Sequence, residues 1–146
     1  MGVDVGSVRI GVALSDEGRV IARPLQTVRR TDDRTAVKAL ADIAAENAVT
    51  RILVGLPLLM SGEEPESARD ARRLAGALRA ASGVEVEMWD ERLTTVQAER
   101  ALLEADVRRA RRREVIDRVA AAVMLQSYLD SLPASAPPAA DGEGPR

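Results

Sequence analysis

The chain has 146 residues, 46% of them apolar, with a formal net charge of −2 and neither Cys nor His. That length and apolar content suit one ordinary domain with a core of its own. The missing residue types exclude disulfides, zinc centres, thiol nucleophiles and any histidine base, so hydrolysis by carboxylate-bound metal is the chemistry that survives.

Residues 2–5 (GVDV) read as a short strand, Gly6-Ser7-Val8 as a turn and 9–15 as a second strand. In that second strand Ile10, Val12 and Leu14 share one face and Gly11 and Ala13 the other, the period-2 signature of β structure. Residues 18–28 read as a third strand, with Pro24 pointing to an edge or a bulge. Thr31-Asp32-Asp33 caps a helix of about 16 residues whose buried side carries Val37, Leu40 and Ile43. Residues 51–56 form a near-continuous apolar strand, as expected of a parallel strand covered on both faces. After the loop Pro57–Glu64, Pro65 opens a second helix with Ala68, Ala71, Leu74, Ala75 and Leu78 turned inward. The Glu63 and Glu64 carboxylates complement that helix terminus, which favours capping there over phosphate binding; Ser61 and Gly62 line the entrance. Gly83 ends the helix, 84–89 is a fifth strand, and Thr94 with Gln97 has capping-box spacing for a third helix. Residues 114–131 form the last helix. The Pro- and Ala-rich remainder, 133–146, reads as a disordered tail after a domain spanning 1–132. Three antiparallel strands followed by two helix–strand units predict a mixed five-stranded α/β sheet, with a crevice at the carboxyl ends of strands one, four and five.

No apolar run approaches the roughly 20 residues of a membrane span, and the N-terminus lacks a signal-peptide pattern. A cytoplasmic protein without membrane contact is expected. With only Trp89 and Tyr128 as aromatic residues, base stacking on aromatic platforms is a poor fit, whereas backbone recognition by Arg is open.

Asp4 is the anomaly of the first strand. Asp is depleted in strands, and a buried carboxylate needs a partner, of which a hard metal ion is one. Opposite Gly11, its missing neighbour side chain would leave space for a metal and a phosphate. The alternative is a turn aspartate bonding nearby amides. Asp90 and Glu91 follow the fifth strand and point to opposite faces. Asp117, one turn into the last helix, is either a third ligand or an acid favoured by the helix dipole. Arg108, Arg109, Arg111, Arg112 and Arg113 make either a solvated loop or a phosphate-binding run. Arg9 and Arg92 lie nearer the crevice, as phosphate contacts or supports for the acids.

The runs GVDVGSVRIGVALSD, VGLP, DERLTT and DRVAAAVMLQSYL, in that order over residues 2–132, resemble the YqgF/RuvX family. Its members are described as Holliday-junction-resolvase-like proteins and as nucleases for the 5′ end of pre-16S ribosomal RNA. The resemblance implies a ribonuclease H-like fold. It also implies an acidic site at Asp4, Glu91 and Asp117, which would hold Mg²⁺ or Mn²⁺; from their positions, Arg9, Arg92, Arg109, Arg112 and Arg113 are the candidate nucleic-acid contacts. The partner would be structured RNA or branched DNA, and the protein a monomer or homodimer. Family members carry a few more residues before the first motif, so either the start is assigned late or strand one is shortened. Two rivals stand beside the nuclease: a non-catalytic RNA- or protein-binding factor, and a nucleotide-binding module suggested by DVGS, for which the chain is too short to form two lobes.

Overall fold

A computed structural model describes residues 1–94 and 112–133, with side chains in the last helix from 116 onward. Strands β1 (Gly2–Val5), β2 (Arg9–Ser15), β3 (Ala22–Arg29), β4 (Arg51–Leu56) and β5 (Glu85–Asp90) alternate with helices α1 (Asp33–Glu46) and α2 (Glu66–Ser82); helix α3 (Arg112–Ser131) closes the described chain. The sheet order is β3-β2-β1-β4-β5. β1 pairs antiparallel with β2, Asp4 facing Gly11, and parallel with β4. β5 is parallel to β4, which completes the mixed sheet expected from the sequence.

Strand alternation sorts the sheet into two unlike faces. Val3, Ile10, Val12, Ile52, Val54 and Val86 pack with Leu40, Ile43, Leu74 and Leu78 of α1 and α2. On the other face Ala13 and Leu53 meet Ala121, Ala122, Leu125 and Tyr128 of α3. Glycines sharpen the second face. A Cβ on Gly11 would land on the Asp117 backbone carbonyl, and one on Gly2 would lie 3.0 Å from Leu125 Cβ. The sheet thus presents a trough of small residues in which α3 lies backbone-close.

Several boundaries differ from the sequence reading. β3 begins at Ala22, not at residue 18. The Asp16 carboxylate accepts the Val20 and Ile21 amides, and Arg19 adopts φ 57°, so 16–21 is a side-chain-closed turn. Such a carboxylate competes with ladder hydrogen bonds. Pro24 lies on the edge strand beside a register shift at Val12/Ala13, so both expectations for it hold. α1 has 14 residues and is capped by Asp32, whose carboxylate accepts the Thr35 amide. Pro65 is the N-cap of α2, with extended ψ 171°, and not its first helical residue. Gly83 closes α2 in the left-handed conformation at φ 67°. The last helix starts two residues earlier than expected, at Arg112. The third helix expected after Thr94 and the tail beyond residue 133 lie outside the described residues.

Candidate active site

The carboxyl ends of β1, β4 and β5 converge, and the crevice expected there exists. It is a groove of about 370 Å³ lined by Asp4, Glu91 and Thr94 and by Ile116, Val119, Ala120, Val123 and Met124 of α3. β1 aims Asp4 at the α3 side because its neighbours Val3 and Val5 turn into the opposite core. Glu91 opens a 3₁₀ turn, Glu91–Leu93, directly after β5. Gly55 on β4 makes room for it: a Cβ there would sit 2.7 Å from Glu91 Oε1 and 2.8 Å from Met124 Sδ.

The Asp4 and Glu91 carboxyls face each other within hydrogen-bonding reach. Burial, and then the charge of Asp4, push the Glu91 carboxyl up to about 7. Burial also raises Asp4, with the Asp117 charge adding to it and the Glu91 hydrogen bond opposing. Two desolvated carboxyls this close cannot both ionise at low cost.

Asp90 is turned away from this pair. Its carboxylate caps the Arg92 amide and grips the Arg92 guanidinium, Nη2 to Oδ2 at 2.7 Å. Of the two adjacent acids, Glu91 is the one in the groove. Arg92 also reaches the Leu59 carbonyl, at 3.4 Å, tying the 57–64 loop to the 3₁₀ turn.

Asp117 does not complete a three-acid cluster. Arg9 Nε holds its Oδ2 at 2.8 Å. Among the described residues no group of three His, Cys, Asp or Glu side chains stands ready to hold a metal ion. The space opposite Asp4 is also not vacant: the α3 backbone at Asp117 occupies the place that Gly11 leaves open. Gly11 therefore serves helix docking, a correction to its expected role as room for metal and phosphate. Arg109 lies outside the described residues. Arg112 and Arg113 open α3, and their side chains lie outside the description.

Sequence reasoning missed Arg30. Its guanidinium, only 8% exposed, makes a two-pronged pair with Asp70 (2.6 and 2.8 Å), bonds Asp33, and donates to the Gly6 carbonyl at 3.0 Å. Its amide donates to the Val8 carbonyl. Arg30 thus clasps the turn that follows Asp4. Only the adjacency of Arg30 and Asp33 is a sequence signal; Asp70 is forty residues away.

The donor set suits a hard divalent cation. All donors are carboxylate oxygens, and Asp4 and Glu91 line one groove where burial and mutual repulsion disfavour two anions without a cation.

The chain matches the family model described as RuvX, Holliday junction resolvase, over residues 1–131. It is 53% identical over 131 residues to a Myxococcus xanthus protein named "Putative pre-16S rRNA nuclease", covering 90% of this chain and 87% of that one. A protein of the same name from Symbiobacterium thermophilum is 49% identical over 136 residues, covering 93% and 94%. Among solved structures, T. thermophilus RuvC in complex with Holliday junction substrate superposes with a TM-score of 0.57 at 16% identity, covering 88% of this chain and 92% of that chain. At that identity the likeness speaks for the fold alone.

Proposed function

The chain belongs to the RuvX family, and on that premise we propose that it is a nuclease hydrolysing phosphodiester bonds at the Asp4–Glu91 pair, with the 5′ end of pre-16S ribosomal RNA as its substrate. The observation that carries the reading is the convergence of these two carboxyls in one groove. Close relatives carrying the rRNA-nuclease name support the substrate. Asp4 and Glu91 are the metal ligands in this reading, with Asp117 the third acid. When bound, Mg²⁺ or Mn²⁺ supplies activation of the attacking water and neutralisation of the scissile phosphate. The chain's own residues do the rest. Asp4 and Glu91 would hold the ion through their carboxylates, Gly55 leaves room for the Glu91 carboxyl, and the Arg30 clasp fixes the turn behind Asp4. Arg92 and the arginines at 109, 112 and 113 contribute sequence-independent contacts to the phosphate backbone.

A second reading, cleavage of a branched DNA junction, draws on the family description and the RuvC-like fold. A junction cutter is expected to act as a symmetric pair, an RNA trimmer as a monomer. No described helix is long and apolar enough to cross a membrane, and the site of action we propose is the cytoplasm. Purified protein incubated with a 5′-extended pre-16S RNA and with a four-way DNA junction, each with Mn²⁺, separates the readings. Metal-dependent cleavage of the RNA alone supports the proposal; cleavage of the junction alone favours the second reading. Binding without cleavage of either leaves a non-catalytic factor.

A further inference from the structure

Asp117, the third acid of the proposed site, is held by an arginine. Arg9 opens β2 two residues before Gly11, the residue paired with Asp4, and its carbonyl closes the turn by accepting the Gly6 amide. Its Nε donates to Asp117 Oδ2 at 2.8 Å, and the two side chains are 30% and 29% exposed. The Asp117 backbone lies against Gly11, the residue paired with Asp4, so the ion pair borders the carboxyl site.

The fold contains a second Arg–Asp pair for comparison. Arg30 is nearly buried and holds Asp70 with two nitrogens while also bonding Gly6 and Asp33. That is a clamp. The Arg9–Asp117 contact is a single bond partly open to water, and water screening weakens such a pair relative to the buried clamp. A guanidinium binds phosphate oxygens as readily as carboxylate oxygens. An arriving phosphate therefore competes for Arg9 on equal terms, whereas it does not compete for Arg30.

We propose that Arg9 is an exchangeable counter-ion for Asp117. In the free protein it holds the third carboxylate; when nucleic acid binds, its guanidinium transfers to a backbone phosphate and releases Asp117 toward Asp4 and Glu91. The inference rests on the carboxyl-site reading above. It makes metal affinity depend on substrate, and by linkage substrate affinity depends on metal to the same degree. Full metal loading is thereby confined to the complex with nucleic acid.

The test is calorimetric titration of Mn²⁺ into the full chain, with and without a structured RNA made uncleavable by substitution at the scissile phosphodiester. Four proteins are compared: wild type, Arg9→Met, Arg9→Lys and Asp4→Asn. The β1–β2 turn is closed by the backbone bond from the Gly6 amide to the Arg9 carbonyl, so the Arg9 variants retain it. In wild type the RNA should tighten Mn²⁺ binding about tenfold, within the usual range of site-to-site coupling. Arg9→Met should bind Mn²⁺ more tightly without RNA and lose the coupling. Arg9→Lys, which keeps the charge but not the planar fork, should fall between. Removing a positive charge alone would tighten Mn²⁺ binding yet preserve the coupling, so persistence of the coupling in Arg9→Met overturns the proposal. Wild-type behaviour of both Arg9 variants also overturns it. If Asp4→Asn loses Mn²⁺ binding while the Arg9 variants behave as wild type, the exchange alone fails. If Asp4→Asn binds Mn²⁺ like wild type, the carboxyl-site reading itself fails.

Discussion

Glu91 is the residue where stability and the proposed metal-holding role oppose each other. Its folded pKa of about 7 lies above the ordinary 4.5 because burial and Asp4 disfavour its anion. The unfolded chain releases that proton first, so metal-free stability falls as pH rises from about 4.5 to about 7. Glu91→Gln removes the penalty. The metal-free variant should be more stable than wild type at pH 8 by roughly 1–2 kcal/mol, after allowance for partial exposure and screening, and no more stable at pH 4. Chemical denaturation at the two pH values checks both signs. Asp70 has the opposite linkage. Arg30 holds its carboxyl below the usual range, so its contribution is present above the unfolded Asp pKa and is lost on acidification. Arg30→Ala should cost about 2 kcal/mol at pH 7, since it strips Asp70 of its two-pronged partner, leaving it Arg73, and removes the guanidinium donor of the Gly6 carbonyl, and should flatten the acid limb of a stability–pH profile.

At the scale of elements, the decisive contact is α3 in its trough of glycines, and two of these tolerate an added methyl very differently. At Gly11 the added Cβ meets the backbone of α3, which has no rotamer to change. Gly11→Ala should displace the helix and cost about 3 kcal/mol or more, the upper range for overpacking. At Gly55 the neighbours are the ends of two flexible side chains, Glu91 and Met124. Gly55→Ala should therefore cost less than about 1.5 kcal/mol while displacing the Glu91 carboxyl and weakening Mn²⁺ binding. Urea denaturation paired with Mn²⁺ titration separates the two effects; a Gly11→Ala protein as stable as wild type would show that α3 does not dock as described.

At the scale of the molecule, the strands of the sheet were legible because alternation is written into β1, β2 and the apolar run of β4. The start of β3 was not, because Asp16 closes its turn with a side chain and no periodicity records that. The groove's position at the strand ends followed from topology. The choice of Glu91 over Asp90 came from family resemblance, and the structure adds its cause: Asp90 is occupied by Arg92. What pattern alone did not reveal were pairings between distant residues: Arg9 with Asp117, and Arg30 with Asp70. The central claim is that Asp4 and Glu91 together grip the ion that drives cleavage. The most direct test is single-turnover, Mn²⁺-dependent cleavage of the pre-16S RNA by wild type and by Asp4→Asn, with folding of the variant verified by its thermal melt. Because loss of even an outer-shell partner of a metal commonly costs about 10–100-fold, the variant should lose at least about 100-fold in rate; a folded Asp4→Asn protein that cleaves at the wild-type rate would contradict the account.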